Sequence, residues 1–73
     1  MDDVRFLQLL RQIQPLNFEK IGPAISFADI YKKLTPQGEV KESIEWRIEK
    51  LERDGKLEVF RSDSVIYAVR PIL

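Results

Sequence analysis

Apolar positions along this chain change rhythm several times, and each rhythm predicts an element. From Asp2 to Gln14 they fall at Phe6, Leu7, Leu9, Leu10 and Ile13, an arc wider than one packing stripe needs. Asp2 and Asp3 occupy the first turn of this helix, where they favour the positive end of its dipole. Such an arc suits a central helix gripped by other helices and a sheet. It also suits a helix from which Phe6 or Leu9 reaches a second copy of the chain. A second helix begins at Ser26, which with Asp29 three residues later nearly matches a capping box. Phe27, Ile30, Tyr31 and Leu34 then recur at i, i+3, i+4 and i+7, with Lys32 and Lys33 off the stripe. A third helix runs from about Glu39 to Asp54. Val40, Ile44, Ile48 and Leu51 share one face, Arg47 lies at its border, and Gly55 supplies the stop.

After Gly55 the composition turns to strand formers. Lys56–Arg61 and Val65–Arg70 are rich in Val, Ile, Phe and Tyr, and Ser62-Asp63-Ser64 between them is a turn cluster, so the two segments predict a hairpin. Pro71 stops the second strand and leaves Ile72 and Leu73 as a short apolar tail. Two breaks separate the helices. Pro15 ends the first, and Leu16–Ile25 is a connection punctuated by Gly22 and Pro23. Its apolar residues Leu16, Phe18, Ile21 and Ile25 predict a connection pinned to the core, with Ile25 as a short strand beside the hairpin. Thr35-Pro36-Gln37-Gly38 forms the other break.

Length and composition narrow the class. Seventy-three residues predict a single domain spanning 1–73, small enough that folding buries only about 60% of the unfolded surface and association would help. With neither Cys nor His, the chain offers no thiolate or imidazole metal site and no Ser-His or Cys-His nucleophile pair. Its three scattered glycines make no phosphate loop, so the expectation is no enzyme, no cofactor and no metal. No apolar run approaches the roughly 18 residues of a membrane span, and Met1-Asp2-Asp3 is the opposite of a basic signal-peptide start. A cytoplasmic protein is the expectation. Lys and Arg number 12, as do Asp and Glu, so any DNA affinity has to come from a local basic patch.

The order helix, helix, helix, hairpin, together with Ser43-Ile44-Glu45-Trp46-Arg47-Ile48-Glu49-Lys50-Leu51-Glu52-Arg53-Asp54-Gly55-Lys56-Leu57, resembles the winged helix-turn-helix superfamily of transcription regulators. The resemblance covers nearly the whole chain, and every aliphatic slot of the local pattern is filled. It implies an α+β winged-helix fold, with a three-helix helix-turn-helix core followed by a two- or three-stranded β-hairpin wing. It also implies a small DNA-binding regulator, possible as a homodimer on two half-sites. Duplex DNA would then be met by Lys32, Lys33, Lys41, Arg47, Lys50, Arg53, Lys56 and Arg61.

Charge on the third helix departs from that family habit. Between Glu39 and Asp54 stand four basic residues (Lys41, Arg47, Lys50, Arg53) and six acidic ones (Glu39, Glu42, Glu45, Glu49, Glu52, Asp54). A net negative helix in a phosphate-lined groove meets repulsion at each acidic contact. The spacing makes Glu45–Glu49 a repulsive pair and Glu49–Arg53 a favourable one. On the wheel, the face opposite Ile44 and Ile48 carries Glu42, Trp46, Glu49 and Arg53. This face predicts the alternative function, a contact with a partner protein. Trp46 there is a hot-spot contact, a stacking platform for a base, or an indole covered by the tail or the connection.

Overall fold

A computed structural model describes residues 1–72 of the chain; Leu73, the last residue of the expected tail, lies outside them. The fold is α+β, with three helices and one four-stranded antiparallel sheet. The elements run α1 (Asp3–Arg11), β1 (Leu16–Phe18), β2 (Gly22–Ser26), α2 (Phe27–Leu34), a 3-10 turn (Thr35–Gln37), α3 (Lys41–Arg53), β3 (Leu57–Ser62) and β4 (Val65–Pro71).

Each helix is bounded by a local device. Asp2 is the N-cap of α1 and does not sit in its first turn; its carboxylate accepts the Arg5 N–H at 2.8 Å. Ser26 caps α2 as its spacing predicts, its hydroxyl accepting from the Asp29 N–H. Val40 has no side-chain acceptor to cap α3, so Ser43 reaches back and accepts the Val40 N–H at 3.2 Å. Because Val40 stands outside the helix as its N-cap, it is exposed and does not extend the apolar face. Gly55 closes α3 at φ +74°. The Lys56 N–H reaches the Leu51 carbonyl at 2.9 Å and the Gly55 N–H reaches that of Glu52 at 3.0 Å, the paired bonds of a Schellman ending.

The sheet has four strands where two or three are expected. Its order is β1-β2-β4-β3, and all neighbours are antiparallel. Leu16–Phe18 folds back on Gly22–Ser26, with Phe18 opposite Gly22, so the expected connection is itself a hairpin. Three residues are too few to display an alternating pattern, which is why β1 has no signature of its own. Ile25 pairs with Val69 and joins this hairpin to the C-terminal one, where the predicted short strand belongs. Leu16 is exposed on the outer edge and is not pinned to the core, whereas Phe18 packs edge-on against Tyr67 with ring centres 5.7 Å apart. The β3–β4 turn is the two-residue Asp63-Ser64, both at positive φ, which matches the twist of the strands that it joins.

The core lies between the three helices and the sheet. Phe6, Leu9 and Leu10 of α1 meet Ile30 and Leu34 of α2, Ile44, Ile48 and Leu51 of α3, and Ile25, Leu57, Ile66 and Val69 of the sheet. No polar or charged residue is buried among the described residues. Phe6 and Leu9 are buried inside their own chain, which removes them as contacts to a second copy; the broad arc of α1 is that of a central helix. Tyr31 leaves the α2 stripe and is exposed, since α2 is only two turns long and its inner face is filled by Ile30 and Leu34.

Candidate interaction surface

The inner face of α3 anchors the helix and its outer face is displayed. Ile44, Ile48 and Leu51 fix the rotation, and the wheel then places Trp46 outward with 57% of its surface exposed. With most of its surface open, the indole is not covered by the tail or the connection, and Ile72 is itself half exposed. Glu42 and Glu49, one turn before and one turn after Trp46, are exposed and make no ion pair among the described residues. Arg53 completes this face, but the expected Glu49–Arg53 pair is not formed.

The cations of α3 that border its core face turn toward α1. Arg47 donates from Nη1 to Oδ1 of Asp3 at 2.9 Å, and Lys50 donates from Nζ to Oδ2 of the same carboxylate at 2.9 Å. Only 15% of the Arg47 side chain remains exposed; its guanidinium lies 5.7 Å from the centre of the Phe6 ring. The hydrogen bond from Lys50 is the largest influence on Asp3 and, with Arg47, holds its carboxyl below the usual carboxylate range, against partial desolvation. The Lys50 ammonium also lies 5.9 Å from the Trp46 ring centre, so the indole borders a neutralised pair instead of a free cation.

The wing repeats the pattern. Arg61 forms a two-pronged pair with Glu52 at 3.0 and 2.8 Å, which lowers the carboxyl and raises the guanidinium from their ordinary values. Of the eight cations that the resemblance assigns to DNA, Arg47, Lys50 and Arg61 are thus occupied by carboxylates of the chain itself. Lys32, Lys33, Lys41, Arg53 and Lys56 have no ion-pair partner among the described residues. They are spread over α2, both ends of α3 and the start of the hairpin rather than gathered on one face of a single element. Lys41 borders a shallow depression with Phe27, Ala28 and Tyr31.

A second surface carries no signal in the sequence. An open apolar groove of about 600 Å³ runs between the end of α1 and the sheet, walled by Leu10, Ile13, Pro15, Pro23 and Pro71. Among the described residues, Arg11 and Arg70 are the only charged ones lining it. Arg70 is held in place by the backbone carbonyls of Pro23, at 3.1 Å, and Ile21, pairs with the Glu58 carboxylate at 3.5 Å, and stacks over Phe60. Arg11 makes no ion pair among the described residues. The prolines mark breaks in the sequence, and only folding brings Pro15, Pro23 and Pro71 to one wall.

No cluster of three or more potential metal ligands exists among the described residues, and no helix is long and apolar enough to cross a membrane. No protein-family model, curated protein or solved structure matches the chain.

Proposed function

We propose that this domain is a non-catalytic protein-interaction module of winged-helix type, with the outer face of α3 as its contact. The observation that carries this reading is the division of α3: Trp46 stands exposed between Glu42 and Glu49, while Arg47 and Lys50 are drawn inward onto Asp3. A helix presented in this way offers an aromatic anchor with an unpaired carboxylate one turn to either side. Exposed indoles of this kind are the residues that dominate protein interfaces, whereas a DNA groove repels the carboxylates. The order of three helices and a C-terminal hairpin supports the winged-helix assignment, and the extra β1–β2 hairpin extends the sheet beyond the simplest wing.

Binding of duplex DNA is the second reading, favoured by one feature. Lys41 opens α3 beside the exposed Tyr31, where a helix N-terminus adds its own attraction for phosphate. A labelled random-sequence duplex, titrated at about 50 mM salt where phosphate attraction is strong, separates the two. The interaction reading expects no saturable rise in anisotropy and no change in Trp46 fluorescence. Micromolar binding that weakens with salt and is lost in Lys41→Glu would replace it with the DNA reading.

A further inference from the structure

We infer that the partner of the Trp46 face is the apolar groove of a second copy of this chain, so that protomers associate head to tail. The inference rests on the reading of α3 as a protein-contact surface and names its occupant. Two surfaces of opposite form are left unfilled by the fold. One is convex: a bulky indole flanked by the unpaired carboxylates Glu42 and Glu49. The other is concave: an apolar groove of about 600 Å³ whose charged lining among the described residues is Arg11, which has no ion-pair partner there, and Arg70, which is already paired with Glu58. A convex anchor beside two unpaired carboxylates and a concave receptor with the unpaired guanidinium of Arg11 at its wall are complementary in shape and in charge.

The two surfaces are kept apart within one chain. Asp3, at the first turn of α1, is bound to α3, whereas Leu10 and Arg11 at the far end of the same helix line the groove. Seven to eight residues of helical rise separate them, roughly 10–12 Å, and Trp46 does not line the groove of its own chain. The contact therefore joins different patches of two copies. Each protomer gives one indole and receives one, and association continues past two copies into a ring or a short chain. With a formal net charge of zero, the copies carry no overall self-repulsion to oppose this.

The test uses the whole chain and two exposed positions. Sedimentation velocity of the natural protein, up to about 1 mM, should show mass rising with concentration beyond that of a dimer. Trp46→Ala and Arg11→Glu should each weaken association, the first by roughly thirty-fold as a central aromatic anchor does. Circular dichroism verifies that both variants remain folded. Mixing them is decisive. Trp46→Ala retains an intact groove and Arg11→Glu an intact indole face, so the mixture should form a one-to-one heterodimer tighter than either variant with itself. Natural protein that stays monomeric overturns this inference and leaves the α3 reading to the duplex titration. Association untouched by Trp46→Ala, or a mixture no tighter than its components, also overturns it.

Discussion

Arg47 donates to the carboxylate of Asp3 across 44 positions of sequence, and this one bond turns a side chain expected to face DNA into a tie between α3 and α1. Lys50 shares the acceptor, so one aspartate ties two cations of the third helix to the first. The Nε of Arg47 is buried without a partner of its own, which leaves the guanidinium dependent on Asp3 and on the Phe6 ring.

Removing Asp3 should therefore cost more than a surface substitution usually does. Asp3→Ala strands the largely buried Arg47 guanidinium, and a charged group left without its partner is destabilising. Urea unfolding checks it. The double variant Asp3→Ala with Arg47→Met, which keeps the apolar stem and removes the stranded charge, should recover part of the loss.

The same pair sets a pH dependence. Asp3 and Glu52 both have carboxyls lowered by their cationic partners, so the unfolded chain takes up protons before the native one as pH falls. Their stabilisation is fully present above the ordinary carboxylate values of 3.8 and 4.5 and is lost as pH falls through the lower native values. The urea midpoint should be flat from neutral pH to about 5.5 and then decline. In an Asp3→Asn, Glu52→Gln variant the decline should be shallower. An equally steep decline would assign the effect to other carboxylates.

The β3–β4 turn is less favourable than its geometry allows. Ser64 sits at φ +67°, where an L residue costs about 1–2 kcal/mol, while glycine there loses part of that gain through a freer unfolded chain. Ser64→Gly should raise stability by about 0.5–1 kcal/mol, seen as a higher thermal midpoint. The opposite change at Gly55, φ +74°, has open space for a Cβ and only backbone strain to meet, so Gly55→Ala should destabilise by about 1 kcal/mol.

Trp46 should behave as a surface residue in the monomer. Trp46→Ala ought to leave the unfolding free energy within about 0.5 kcal/mol of the natural protein at low concentration. The native emission should be that of a solvated indole, open to quenching by acrylamide. A loss of several kcal/mol would instead place the indole in the core.

Much of the fold is legible in the residues because the signals are local. Ser26 before an apolar stripe, Gly55 after one, and a turn cluster between two β-branched runs each specify backbone geometry within a few positions, and α2, α3 and the β3–β4 hairpin follow. Even the outward placement of Trp46 comes from periodicity alone, since Ile44, Ile48 and Leu51 can face only one way. What the chain does not announce depends on pairing at a distance. β1 is three residues long and exists because β2 lies beside it; Tyr31 and Val40 leave their apolar stripes because the helices stop where they do. The charges are the clearest case. Sequence alone counts Arg47, Lys50 and Arg61 as cations on an exposed helix and hairpin, and it cannot tell a free cation from a neutralised one, because electrostatic partners are chosen by proximity in space. Tertiary structure brought Asp3 and Glu52 to them, assembled a groove from prolines scattered along the chain, and so decided which charges are left to meet a partner.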